Sequence, residues 1–219
     1  MSADPAGTLA RLAELGARLR RGRVLHPRGR LIAGTLEVTG EGELGVPVLD
    51  EPGRHEVVAR LSKGGSLPGP LPDVLGLALR LPGPLDLLLS SCGAAPWLMR
   101  PRAGFLAGPY STLVPYESGA GPVWLVALPE GDDVPADPAL LPEAVARGKP
   151  LFHLLAARRS APARHLATLR LRAALPDGAD LSYDPVRHAH PSLRLPGVLA
   201  AFRREAYAGS RRGRHAELT

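Results

Sequence analysis

Short apolar runs separated by proline- and glycine-rich turns constrain the fold of this 219-residue chain more than any other feature. In the first run, Ile32, Leu36 and Val38 alternate with smaller or polar residues, which is the period-two pattern of a half-buried strand. Eight strands are enough to close an antiparallel barrel. The eight predicted strands cover residues 31–39, 55–61, 74–81, 85–90, 123–128, 151–157, 166–173 and 180–183.

Glycine and proline mark the turns between these runs. Clear turn sequences are GG at 64–65, PGP at 82–84 and PDG at 176–178, and the pair Asp177-Gly178 predicts a tight hairpin. Gly34 lies inside a predicted strand, where a missing side chain indicates a bend or the close approach of another group.

Three helices are predicted around the strands. Leucines at helical spacing predict one over residues 8–21, and a short one is expected over residues 138–147, with Asp137 as N-cap and Gly148 as stop. A last helix should start after Pro196 and run to about residue 210. Strands following strands, with helices at the ends, indicate an α+β fold: one domain, residues 1–219, with an eight-stranded antiparallel β-barrel and flanking N-terminal and C-terminal helices.

Composition excludes several classes of protein. The net charge is +6, but no zinc motif or basic–aromatic array accompanies it, so no nucleic-acid partner is expected. The one cysteine, Cys92, permits no internal disulfide. No run of 18 apolar residues and no signal peptide are evident, so we expect no membrane span and a cytoplasmic location. His188 and His190 are two residues apart but lack a nearby third ligand for a metal.

Arg203 and Tyr207 are one helical turn apart near the C-terminus, so both face the same way on a helix. A guanidinium against the phenol oxygen lowers its pKa from about 10 and favours the phenolate, an anionic donor that suits ferric iron. The alternative is a buried tyrosine beside a solvated arginine. The motif alone is weak evidence for either interpretation.

His26 stands just before the first predicted strand. Because its ordinary pKa lies near neutrality, a histidine can take a proton from hydrogen peroxide and return it to the leaving oxygen. The alternative is an ordinary turn residue. Together with an arginine-supported tyrosine on the other side of a cavity, His26 would suit a haem iron that reacts with peroxide.

Two segments near the N-terminus resemble the surroundings of the essential distal histidine in haem catalases. Residues 23–29 (RVLHPRG) and 33–39 (AGTLEVT) are similar to the family's R-V-V-H-A-(R/K)-G pattern and the strand ending F-E-V-T that follows it. Residues 58–62 (VARLS) resemble its V-R-F-S strand.

Three further segments follow in the family's order. Residues 73–80 (DVLGLALR) resemble the strand R-D-x-R-G-F-A-V-K-F, and residues 86–91 (DLLLSS) fall where catalases have D-L-V-G-N-N. Residues 203–207 (RREAY) are similar to R-x-F-x-Y with its following arginines. The chain is therefore identified as resembling the catalase superfamily, of the reduced, single-barrel type (mini-catalase or catalase-related peroxidase).

The resemblance implies a distal group of residues. His26 would be the distal acid/base, and Ser62 would form a hydrogen bond with it. Ser90 stands where catalases have an asparagine that helps to position peroxide, and Leu25 replaces a valine that narrows the peroxide channel. These two departures favour a peroxidase-like activity in a more open pocket over fast disproportionation of peroxide.

The resemblance also implies the residues that hold haem b. Tyr207 would be the proximal iron ligand, kept as phenolate by Arg203. Arg23 and Arg60 would face the haem propionates, and Arg214 would also contact the cofactor.

The expected function is a haem-dependent, peroxidase- or catalase-like oxidoreductase acting on hydrogen peroxide or an organic hydroperoxide. A pocket lined by leucine and alanine suits a small-molecule or lipid-like substrate. The alternatives are a haem-binding protein without turnover and a haem-free barrel that binds another apolar ligand. The expected oligomeric state is a homodimer or a monomer.

Overall fold

The computed structural model describes residues 26, 28–65, 67–83, 85–148, 150–159, 161–179 and 181–196. Within that part of the chain, no helix is both long and apolar enough to cross a membrane. The predicted helices over residues 8–21 and after Pro196 lie outside the described residues. Arg23, Arg203, Tyr207 and Arg214 do so too.

Ten strands make up the sheet. They are β1 (Arg28–Val38), β2 (Gly53–Lys63), β3 (Leu75–Leu81), β4 (Leu85–Ser91), β5 (Tyr110–Ser111), β6 (Tyr116–Ser118), β7 (Gly121–Glu130), β8 (Leu151–Arg158), β9 (Ala161–Ala174) and β10 (Leu193–Arg194).

Eight of these strands close an antiparallel barrel. The order around it is β7-β5-β4-β3-β2-β1-β9-β8, and β8 pairs with β7 to complete the ring. The two short strands β6 and β10 extend from β7 outside the ring. The predicted fold class, an α+β protein built on an eight-stranded antiparallel barrel, is confirmed.

The predicted set of strands contains one error. Residues 181–184 form no strand, so the prediction over 180–183 is wrong. The side chain of Tyr183 instead donates a hydrogen bond across the barrel wall to the carbonyl of Val58 (3.1 Å). The missing member of the ring is β5, whose two residues are too short to show an alternating pattern. Asp177 and Gly178 form a turn, but with no strand after them it closes no hairpin.

The barrel interior is filled by aliphatic side chains, because every second residue of each strand points inward. Bulky aromatics are few, and the interior is closed by a T-shaped pair, Tyr110 and Phe152, with ring centroids 5.9 Å apart. Inward-facing residues of the four strands that matter most below are Ile32, Leu36, Val57, Ala59, Leu61, Leu75, Leu77, Leu79, Leu85, Leu87 and Leu89.

Helices are short in the described residues. The first, α1 (Pro47–Asp50), was not predicted. A 3₁₀ turn (Pro138–Leu140) leads into α2 (Leu141–Gly148). The carboxylate of Asp137 accepts a hydrogen bond from the backbone of Ala139 (3.0 Å), which confirms the predicted N-cap.

Gly34 lies where β1 changes its register against β9. A side chain there would begin 2.8 Å from the carbonyl oxygen of Arg170. The predicted close approach at Gly34 is therefore confirmed, and its cause is the irregular pairing of β1 with β9.

Candidate functional site

The outward-facing residues of β1 to β4 form neighbouring rows across the barrel wall. In antiparallel sheets, paired residues point to the same face. Gly29 pairs with Ser62, Ser62 with Gly76, and Gly76 with Ser90. The first row therefore combines two glycines with two serines and presents very little side-chain bulk.

Five of the eight residues in the next two rows are apolar, although outward positions on a barrel wall are ordinarily polar. The three charged residues of these rows are Arg60, Arg80 and Asp86. We name the apolar part of this surface the outer apolar face. Leu31 is buried, although it lies outside the core cluster, and the other four members are half-buried. The members are Leu31, Ala33, Val58, Ala78 and Leu88. Such side chains are suited to contact an apolar ligand.

His26 lies at the edge of the first row and is fixed there by several contacts. Its backbone nitrogen donates to the carbonyl of Gly64 (3.1 Å), and Arg60 donates from its guanidinium to the carbonyl of His26 (2.9 Å). Its imidazole Nδ1 lies 3.0 Å from the hydroxyl of Ser62. The backbone of His26 has a φ of 56°, a left-handed value that non-glycine residues adopt only when their surroundings compel it.

Glycines provide the space for these side chains. A Cβ at position 76 would begin 2.6 Å from Nδ1 of His26 and 2.8 Å from the hydroxyl of Ser62. At position 29 a Cβ would begin 2.7 Å from the guanidinium carbon of Arg60. Only glycine at these two positions lets the imidazole and the guanidinium lie flat against the wall.

The pKa of His26 is lowered to about 4, chiefly because burial disfavours the imidazolium. The positive charge of Arg60 lowers this pKa further, whereas the charge of Asp73 and a hydrogen bond with the Ser62 backbone oppose the shift. His26 is therefore neutral at pH 7. If the Ser62 hydroxyl donates to the carbonyl of Gly76 (3.4 Å), it accepts from Nδ1, and Nε2 carries the lone pair.

The loop between β2 and β3 supports His26 from below. Buried Lys63 donates to the carbonyls of Gly69 (2.8 Å) and Leu71 (2.9 Å). The carboxylate of Asp73 accepts hydrogen bonds from the backbone nitrogens of Gly65 (2.9 Å) and Leu67 (3.2 Å). Buried charges are stable only when their hydrogen bonds are made, so these two residues hold the loop that offers Gly64 to His26.

A segment after β9 covers the far end of the outer apolar face. The buried carboxylate of Asp86 pairs with the guanidinium of Arg80, and the hydrogen bond between them raises the pKa of Arg80. Asp86 also contacts Nδ1 of His188 (2.9 Å) and accepts from the backbone of Asp184 (2.7 Å). Tyr183 lies beneath Arg80, whose guanidinium is 5.5 Å from the ring centroid. These contacts fasten residues 183–188 to β3 and β4.

The structure brings three of the predicted site residues into direct contact: His26, Arg60 and Ser62. Ser90 lies on the same row, one strand beyond Gly76. The other predicted site residues, Arg23, Arg203, Tyr207 and Arg214, lie outside the described residues.

Sequence reasoning did not identify Gly76 or the Asp86 network. For Gly76 a signal was present, because it interrupts a strand-like run just as Gly34 does. For Asp86 there was none, because its partner His188 is 102 residues away along the chain.

Similarity to known proteins is detected through the fold. No protein-family model matches the sequence. No curated protein matches it either. The structure is similar to that of a bacterial catalase, with a TM-score of 0.63 and 12% identity over 93% of this chain. It is also similar to that of a fungal catalase, with a TM-score of 0.65 and 12% identity over 93% of this chain.

The barrel therefore has a catalase-like fold. The chain spans about three fifths of these catalases, since the matches cover 60% and 62% of their lengths. The reduced, single-barrel subtype stays a prediction.

The described residues fit one half of a haem site. The outer apolar face offers apolar side chains, His26 is neutral and lies against Gly76, and the charge of Arg60 lies beside it. The described part of the chain contains no group of three histidine, cysteine, aspartate or glutamate side chains placed to hold a metal ion.

Proposed function

We propose that this protein is a haem-dependent oxidoreductase that uses hydrogen peroxide or an organic hydroperoxide, with haem b bound against the outer apolar face. The observation that carries the proposal is the held, neutral His26 beside the outer apolar face. The catalase-like fold supports it. The guanidinium of Arg60, which donates to the carbonyl of His26, would pair with a haem propionate. A bound haem would supply the iron that exchanges electrons with the peroxide.

In this proposal His26 moves the proton. As a neutral imidazole, it accepts a proton from the peroxide at Nε2 while its Nδ1 stays bonded to Ser62. With a pKa of about 4 the resulting imidazolium is strongly acidic, so it readily returns the proton to the leaving oxygen. Ser62 and Gly76 keep the ring in position between these two steps.

Tyr207 would hold the iron through its phenolate oxygen, and Arg203 would favour the phenolate form. Arg23 and Arg60 would pair with the two propionates, and Arg214 would also contact the cofactor. These assignments rest on the resemblance of residues 23–29, 58–62 and 203–207, with the arginines that follow, to the catalase motifs.

Peroxidase-like turnover of a bulkier peroxide is favoured over fast disproportionation. Ser90 is shorter than the asparagine it replaces, and it offers one donor where an amide offers two. The shorter side chain would leave room beside the haem for a bulkier, lipid-like hydroperoxide.

The proposal is tested by the absorption spectrum of the chain expressed with a haem precursor. A ferric, tyrosinate-type spectrum with one haem per chain is expected. Replacing Tyr207→Phe should abolish that spectrum or change its ligand type, and an unchanged spectrum would contradict the ligand assignment.

Two other outcomes point to the alternatives. A red protein without peroxide turnover would be a haem-binding protein only. A colourless protein that also fails to bind added haemin would be consistent with the catalase-like fold but would contradict the proposed haem-dependent activity.

A further inference from the structure

A pair of histidines lies outside the candidate site, on the neighbouring strands β8 and β9. Nδ1 of His153 is 3.4 Å from Nε2 of His165, and the ring centroids are 5.5 Å apart. Both side chains are on the outer surface, and that of His153 is 36% exposed. The pair is therefore open to ions in solution.

An irregularity in the strand pairing brings the two rings together. Leu154 pairs with Ala167, but the next residue, Leu155, pairs with His165. Leu166 is thus an extra residue, and it and Ala167 are both buried. A bulge of this kind re-aims the neighbouring side chains. It places His165 on the outer surface with His153.

A carboxylate stands behind the first histidine. Glu130 accepts from Nε2 of His153 at 2.8 Å. With its hydrogen on Nε2, the imidazole carries its lone pair on Nδ1, the atom that faces His165. Metal-binding histidines usually have such a carboxylate on the ring nitrogen that does not bind the metal, because it fixes the tautomer and raises the basicity of the ligand.

We propose that His153 and His165 form a binding site for a divalent late transition-metal ion. Two nitrogens each bonded to one tetrahedral ion at about 2.0–2.1 Å are themselves separated by about 3.4 Å. The observed separation of Nδ1 and Nε2 matches that value without movement of the strands. The ion takes the place of the hydrogen that Nε2 of His165 donates to Nδ1 of His153, and that proton moves to Nδ1 of His165.

The rest of the coordination shell comes from solvent, because no third histidine, cysteine or carboxylate of the described residues converges with this pair. The hydroxyl of Thr168, 3.4 Å from Nε2 of His165, is placed to bond a coordinated water. Imidazole ligands select Zn²⁺, Ni²⁺ and Cu²⁺ over Mg²⁺ and Ca²⁺, with Cu²⁺ bound most tightly. This site is independent of the proposed haem chemistry.

The test is calorimetric titration of the untagged full-length chain with Cu²⁺ alone and with Zn²⁺ alone. One site in the micromolar range is expected for Cu²⁺, with weaker binding of Zn²⁺. His153→Ala and His165→Ala should each weaken Cu²⁺ binding at least tenfold. Glu130→Gln should weaken it about tenfold, as for other outer carboxylates.

His55→Ala is the matched control, because His55 lies on β2, away from this pair, and its loss should leave the affinity unchanged. Paramagnetic resonance of the Cu²⁺ complex should show two nitrogen ligands in the wild type and one in either variant. The proposal is overturned if both histidine variants bind Cu²⁺ as the wild type does, or if the wild type shows no such site.

Discussion

Two sectors of the same barrel wall differ in what they present outward. In the rows of β1 to β4 nearest His26 the outward residues are glycine, serine and apolar side chains, with Arg60 as the charged exception. Where β1 meets β9 they are charged and paired, as in Arg172 with Glu56 (3.4 Å) and Arg170 with Glu37 (3.5 Å). Both sectors pack aliphatic side chains inward.

The inward residues therefore form the common core of the barrel, and the outward residues determine how the two sectors of its outer surface differ. The charged sector follows the ordinary rule for a wall that faces water. The first sector breaks that rule with half-buried apolar residues and a left-handed histidine. Such local departures are where function is expected, because folding alone does not require them.

The largest expected effect comes from removing the held imidazole. His26→Ala should lower peroxide turnover by about 10² to 10⁴, the usual contribution of a general acid–base group. Haem content should stay constant, since the outer apolar face is unchanged. The measurement is turnover per haem by stopped-flow. An unchanged rate would contradict the acid–base role of His26.

Gly76→Ala should act almost as strongly without touching the imidazole itself. The new Cβ would begin 2.6 Å from Nδ1 of His26, so the ring must move, and a misplaced catalytic group costs about 10² in rate. The same change at Gly119, where a Cβ meets nothing within 4 Å, is the control. Equal rates in the two variants would show that the space left by Gly76 does not position His26.

The pH profile distinguishes a held histidine from a solvated one. A pKa of about 4 keeps His26 neutral at pH 5, so the acid limb of kcat/KM should lie near 4. A histidine with its ordinary pKa of about 6.5 would already be about 30-fold less active at pH 5. Nuclear magnetic resonance titration of the His26 ring should give the same pKa. An acid limb of kcat/KM near pH 6.5 would contradict the claim that burial lowers this pKa.

The smallest effect is expected in the charged sector. Arg172→Ala removes an exposed ion pair with Glu56, and such pairs contribute about 0–1 kcal/mol. Denaturant unfolding should show a change within that range, and haem binding should be unaffected. A loss of haem in this variant would mean that the two sectors are not functionally distinct.

Most of the barrel could be predicted from sequence because alternation is a local property. Seven of its strands have long alternating runs, and the turns between them are rich in glycine and proline. The eighth strand was not predicted correctly because β5 has only two residues. Residues 181–184 have a strand-like sequence but form no strand, and Tyr183 donates a hydrogen bond to the carbonyl of Val58 instead. Pairing over such short lengths depends on tertiary contacts.

The candidate site could be predicted only in part. His26, Arg60 and Ser62 were identified through their resemblance to catalase motifs, and the structure brings them into contact. The role of Gly76 depends on which ring lies above it, and the bulge that aims His165 depends on the register of two strands. The sequence shows Gly76 only as a glycine inside a strand-like run, and it gives no sign of the bulge.

Haemin titration of three chains tests the central claim most directly. The wild type should bind one equivalent, and Ala163→Glu, an exposed change on β9, should bind equally well. Ala78→Glu places a carboxylate on the outer apolar face next to Arg60, so haemin affinity should fall at least tenfold while the far-ultraviolet circular dichroism stays the same. Equal binding by Ala78→Glu and the wild type would contradict the claim that this face holds the haem.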